Sequence, residues 1–176
     1  GLVYNPIYSV SKNAIMLVAP TKAFNIAGIQ SSIAICANDE LREKMAKGFS
    51  MDDIGEPNYI ASYATIAAFT KGDEWNKQMR EYIYNNKKYV VDFINKELPN
   101  LKVTDMKGTY LMWIDISNYS NDSVKFVNDL RKETGLFLSP GSQFGSGGEG
   151  HVRVNIATSL ANVKDACERL KKFIQK

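Results

Sequence analysis

The sequence predicts a mixed α/β chain whose second part is a small α+β domain. Three observations carry this prediction. Two apolar runs of strand length, residues 15–19 (IMLVA) and 31–37 (SSIAICA), stand near the start. A long helical stretch from Glu74 to about Leu98 follows them. After Pro99 the order becomes strand, strand, helix, strand, strand, helix. The 176 residues are enough for one good-sized domain, or for one domain and a piece of another. The expected division falls near residue 75. Residues 1–75 read as a remnant of an α/β sheet without its other strands, and residues 76–176 as the small domain with its long helix.

Both early runs are apolar on both faces, as suits buried strands of a sheet covered on both sides. Asn38 or Asp39 is a suitable N-cap for a helix over residues 40–49. The stretch 51–57 (MDDIGEP) breaks it. Pro57 suits the first turn of a second helix, which continues over 59–70 until Gly72-Asp73. The long helix places Trp75, Met79, Tyr82, Ile83, Val90, Phe93, Ile94 and Leu98 at mostly three- and four-residue intervals. At 1.5 Å per residue it is roughly 35 to 40 Å long, enough to run from one domain into another. Residues 101–104 and 109–116 read as strands around Lys107-Gly108, and 122–133 as a helix that Gly135 stops. Residues 136–138 and 151–157 read as strands around a flexible glycine-rich loop. The chain closes on an amphipathic helix over 160–175, with Val163, Ala166, Leu170, Phe173 and Ile174 inward.

Composition narrows the function classes. Hydrophobic residues make up 44% and charged residues 23%, an ordinary globular balance rather than a disordered one. The net charge of +3 is scattered, and the short basic runs Lys87-Lys88 and Lys171-Lys172 lie on helices. They read as solvated faces, not as a nucleic-acid patch. No run approaches the roughly 20 apolar residues that a membrane span needs. No signal peptide is recognisable, and the expected location is the cytoplasm. Cys36, Cys167 and His151 cannot supply the about four ligands of a structural zinc site, so no metal is expected. Both cysteines read as buried small hydrophobes. The first residue is Gly1 rather than Met, which reads as a processed or partial chain.

Two stretches can carry chemistry. In 19–28 (APTKAFNIAG), Lys22 follows directly on a strand. Ligands of open α/β sheets sit outside the carboxyl ends of strands. Partial desolvation there favours the neutral amine that forms Schiff bases. A solvated loop lysine is the plain alternative. In 151–157 (HVRVNIA), Val152, Val154 and Ile156 share one face, and Arg153 and Asn155 share the other. A guanidinium fixed on a strand can clamp a carboxylate through two parallel hydrogen bonds. An arginine on the wet face of an edge strand is the plain alternative.

Other candidates carry less. Gly145, Gly147 and Gly150 spell the G-x-G-x-x-G fingerprint, but they lead into a strand where dinucleotide binding needs a helix. His151 has no nucleophile motif beside it, and Asp52-Asp53 with Glu56 reads as a polar loop.

Taken in order, APTKAFNIAG, then GTYLMWID at 108–115, then SPGSQFG at 139–145, then HVRVNIA resembles the class I/II PLP-dependent aminotransferases. It is most similar to their cystathionine β-lyase branch, the MalY/PatB type, over essentially the whole chain. The resemblance implies the C-terminal portion of a PLP-dependent transferase fold, with a remnant of the large cofactor-binding domain in 1–75. It implies that Lys22 is linked covalently to pyridoxal 5'-phosphate and moves the substrate α-proton. Arg153 matches the arginine that binds the substrate α-carboxylate, and Thr21 a hydroxyl near the cofactor phosphate. Many relatives carry a serine three residues before the lysine, where this chain has Ala19.

The groups that grip the phosphate, stack on the ring and pair with the ring nitrogen lie upstream in such enzymes, the last just before the segment matching Leu2 to Pro6. The piece is therefore expected not to hold PLP productively alone. A homodimer is expected of the full-length protein. The activity implied is carbon–sulfur β-lysis giving pyruvate, ammonia and a thiol. Transamination to a keto acid, or a non-catalytic regulator of the same fold, stand as alternatives.

Overall fold

A computed structural model describes residues 4–54, 56 and 58–176. The expectations for Pro57 and for the segment at Leu2 and Val3 lie outside the described residues. The chain forms two compact units, Gly1–Gln78 and Met79–Lys176.

The first unit holds strands β1 (Ile15–Val18) and β2 (Ile33–Cys36) and helices α1 (Pro20–Ala23), α2 (Asp39–Met51) and α3 (Tyr59–Lys71). β1 and β2 pair antiparallel, Ile15 opposite Cys36 and Val18 opposite Ile33. The strands stand where the apolar runs place them, but they are not buried. Leu17 is 72% exposed, and Ile15 and Ile33 are exposed too. The sequence shows the cover that such strands call for; a two-stranded ribbon does not supply it. Asn38 caps α2 by accepting from the Leu41 N–H at 3.0 Å. Asn58 caps α3 in the same way through Ala61 and donates to the Ile29 carbonyl at 2.6 Å. α3 buries only its small residues Ala61, Thr65 and Ala68.

Helix α4 (Asp73–Glu97) starts in the first unit and continues into the second. It ends before Pro99 because that ring disfavours helix in the residue ahead of it. The rest of the second unit is β3 (Lys102–Val103), β4 (Leu111–Asp115), α5 (Ser123–Thr134), β5 (Ser139–Pro140), β6 (His151–Asn155) and α6 (Leu160–Ile174). The strands form one antiparallel sheet in the order β3-β4-β6-β5. Met112 and Ile114 of β4 and Val152 of β6 join Val90 and Ile94 of α4, Leu130 of α5 and Val163 and Leu170 of α6 in one core. Ala166 and Cys167 line the same region, and both cysteine thiols are buried and free.

Several boundaries differ from the sequence reading. Residues 136–138 are not a strand. Gly135 caps α5 at φ 74°, and Thr134 Oγ1 then accepts from the Leu136 N–H, so Leu136 and Leu138 turn into the core before the ladder begins at Ser139. β4 starts two residues later than expected, because Thr109 has φ 67° and its hydroxyl accepts from the Leu111 N–H. The glycine-rich loop is a pair of tight 3₁₀ turns, Gly141–Phe144 and Ser146–Gly148, rather than a loose link. A Cβ on Gly141 would lie 2.1 Å from the Gly148 oxygen, so the two backbones touch with no side chain between them. The loop does lead into a strand, which leaves the dinucleotide fingerprint without its helix. Among the described residues, no helix is long and apolar enough to cross a membrane, and no group of three or more His, Cys, Asp or Glu is placed to hold a metal.

Candidate functional site

In the first unit Lys22 and Thr21 are neighbours on α1, the single helical turn that follows β1. Pro20 opens that turn at the first helical position and is buried, with its fixed φ suited to the place. The Phe24 N–H bonds back to the Pro20 carbonyl at 2.9 Å, and the Ile26 N–H to that of Thr21 at 2.9 Å. Asn25 takes φ 54°, which ends the turn at once. The lysine is therefore presented on a short, closed loop of backbone.

What pins this turn lies far along the chain and escaped the sequence reading. The Phe24 ring meets Phe69 edge to face at 6.0 Å and stacks on Trp75 at 6.2 Å between centroids. Gly72 allows this, because a Cβ there would stand 2.4 Å from Phe24 Cε1. Asn76 Nδ2 then donates to the Ala23 carbonyl at 2.7 Å. Lys22 itself is exposed, not partly desolvated as expected, and Thr21 is half-buried. The strand before Lys22 is uncovered too, which removes the low-dielectric wall that the expectation needed. Among the described residues no acid pairs with the Lys22 amine.

Arg153 belongs to the second unit, at the middle of β6, with Trp113 opposite it on β4 and Ser139 on β5. β6 is thus an inner strand of the sheet and not an edge. Alternation holds: Val152 is fully buried in the core, whereas Arg153 is half-buried on the opposite face. The Arg153 guanidinium carbon lies 3.9 Å from the centroid of the Phe144 ring. Trp113 meets Phe144 edge to face at 5.6 Å and His151 at 6.3 Å. His151 Nδ1 is 2.9 Å from the Glu149 carbonyl. Bonds from Ser117, with His151 a smaller influence, hold the Asp115 carboxyl below the usual range.

The strand end and loop around Arg153 are fastened from outside the sheet. Asn86 Nδ2 of α4 donates to the carbonyls of Ile156 and Thr158, both at 2.9 Å. Tyr82 Oη accepts from the Leu160 N–H at 2.8 Å. Buried Ser123, the first residue of α5, donates to Ser142 Oγ and accepts from its N–H, which fixes the turn that carries Phe144. Chemically, the first unit presents a primary amine beside a hydroxyl, and the second a flat cation on an aromatic face. Amines of this kind condense with carbonyls, and such cations take carboxylates.

Known proteins resemble the whole of this arrangement. The family model for aminotransferase class I and II matches residues 6–170. Cystathionine beta-lyase PatB of Bacillus subtilis (strain 168) is 33% identical over 175 residues, which cover 97% of this chain and 45% of that protein. Aspartate aminotransferase of Pyrococcus horikoshii is 27% identical and matches 98% of this chain and 44% of its own. The PLP-bound C-S lyase of Staphylococcus hominis superposes with a TM-score of 0.87 at 29% identity, over 100% of this chain and 46% of that one. The chain thus spans about half the length of these relatives.

Proposed function

We propose, because the chain belongs to the aminotransferase class I and II family, that it is the C-terminal part of a PLP-dependent enzyme acting on L-amino acids. Lys22 holds the cofactor, Thr21 lies beside its phosphate and Arg153 binds the substrate carboxylate. In this reading residues 1–75 belong to the large cofactor-binding domain and 76–176 to the small one. The full-length protein is a cytoplasmic homodimer.

The observation that carries the reading is the state of the two cations. The Lys22 amine sits on a turn pinned by Phe24 and Asn76, and no described acid occupies it. Arg153 is held by an aromatic ring instead of an acid. An exposed amine beside a hydroxyl fits an aldehyde that also bears a phosphate. The match to a PLP-bound lyase along the entire chain supports the same cofactor.

PLP, when bound, supplies an electron sink for the negative charge left on the substrate α-carbon. Arg153 fixes the carboxylate by two parallel N–H bonds, which orients the α-hydrogen. The Lys22 amine removes that proton as a general base. In a lyase the carbon–sulfur bond at Cβ would then break, the sulfur keeping the electron pair and leaving as a thiol once protonated, and one water would be consumed as pyruvate and ammonia are released. In an aminotransferase Lys22 would instead deliver the proton to the cofactor side rather than back to the α-carbon, the amino group would stay with the cofactor, and one water would supply the oxygen of the keto acid that leaves. The likeness to PatB favours the lyase.

Two experiments on the full-length protein test this. Borohydride reduction in the presence of PLP, followed by mass spectrometry, is expected to label Lys22; a label on another lysine ends the reading. Incubation with cystathionine is expected to release pyruvate. Transamination without pyruvate leaves the aminotransferase in its place.

A further inference from the structure

We infer that Phe144 is a positioning residue for Arg153, holding the guanidinium by its flat side so that its edge stays open to a carboxylate. The inference rests on the reading that Arg153 binds the substrate carboxylate.

A guanidinium offers two different surfaces. Its face is attracted to the negative face of an aromatic ring. Its edge carries all five N–H donors in one plane. An acid that fixed Arg153 in place would occupy this edge. The Phe144 ring, 3.9 Å from the guanidinium carbon, fixes it through the face. Among the described residues no acid or carbonyl takes up the Arg153 donors, nor those of Arg80 and Arg131, whereas Arg42 is engaged by Asp39 and the Cys36 carbonyl, and Arg169 by Asp165 and the Thr134 carbonyl.

Phe144 is itself held. Trp113 meets it edge to face, and Trp113 sits opposite Arg153 in the sheet, so ring and cation share one register. The turn carrying Phe144 is closed by the Gly141–Gly148 backbone contact and by Ser123. The long side chain of Arg153 therefore loses rotamer freedom before a ligand arrives, and that loss no longer opposes binding. Arg131 lies over Phe137 at 5.1 Å, with both residues exposed, and gives a second pair of the same kind.

The test uses the full-length PLP-loaded protein with Phe144→Leu, Phe144→Tyr, Phe137→Leu and Arg153→Lys. L-alanine and L-alaninamide binding are measured by calorimetry, together with KM, kcat and the thermal midpoint. Phe144→Leu is expected to weaken L-alanine about three- to tenfold and raise KM at nearly constant kcat. L-alaninamide binding stays as in the parent, Phe144→Tyr restores the affinity and Phe137→Leu changes nothing. If Arg153→Lys loses L-alanine while Phe144→Leu binds it normally, the positioning role is wrong and the carboxylate reading stands. If Arg153→Lys also binds normally, the carboxylate reading itself fails. Equal weakening of both ligands with a lowered thermal midpoint would overturn the inference in favour of a general structural role.

Discussion

Asn86 is 1% exposed, and its amide nitrogen serves two carbonyls at the end of the strand that carries Arg153. Replacing it with Ala leaves both carbonyls short of a donor, at a cost of about 1–3 kcal/mol. A lowered urea midpoint with an unchanged slope is the expected result. Cys167 allows a chemical prediction. Burial, with Glu168 adding to it, pushes its thiol up to about 12, so it stays protonated at neutral pH. Only the thiolate is nucleophilic. Iodoacetamide is expected to spare Cys167 in the folded chain and to modify it in urea, as read by intact mass. At this scale the sequence was partly legible. Alternation put Arg153 opposite Val152, and the cysteines read as buried. Phe144 did not declare itself, because a residue of a loop has no periodicity that ties it to a strand. The exposure of Lys22 was misread for a related reason: its surroundings come from distant segments.

Gly72 matters at the scale of elements, since it lets α3 and α4 meet around Phe24. Gly72→Ala puts a methyl group 2.4 Å from both the Phe24 ring and the Ala68 carbonyl. The ring must move, and a loss of about 1–3 kcal/mol is expected, with slower borohydride labelling of Lys22 in the full-length protein. α4 and α6 are joined by the Glu97–Lys171 pair at 2.7 Å. Bonds from Lys171 and then Lys96 hold the Glu97 carboxyl below its ordinary 4.5. This share of stability is present above that ordinary value and is lost as pH falls through the lowered one. Lys171, raised above 10.5 chiefly by its bond to Glu97, loses its share as pH rises through the raised value. Thermal melts of Lys171→Met are expected to lose part of the acid-side dependence of the parent. The centres of the longer helices were legible, from spacing and from the cap at Asn38, whereas the single turn α1 and the cap at Asn58 were not. Strand ends were not, because Thr109 and Gly135 set them by local turns that no hydrophobic pattern records.

Across the whole molecule the two units differ in how their apolar surface is disposed. The second closes a core around Met112, Ile114, Leu130, Val152 and Ile156. The first leaves Leu17, Tyr59, Ile60, Tyr63 and Ile66 open, with Tyr59 80% exposed. Limited proteolysis of the 176-residue chain is expected to remove segments of the first unit and to leave a resistant piece starting within α4. Cuts spread evenly over both units would contradict this. The family fold was legible because the motif order runs through both units, while the uncovered strands were not, because a sequence shows which residues call for burial and not what buries them. That uncovered surface also governs how long the chain lasts. Folding helpers and degradative enzymes select open apolar faces, and small losses of cover change abundance several-fold. In a pulse-chase experiment the 176 residues produced alone are expected to turn over quickly, and to persist when the remainder of the full-length protein is supplied beside them.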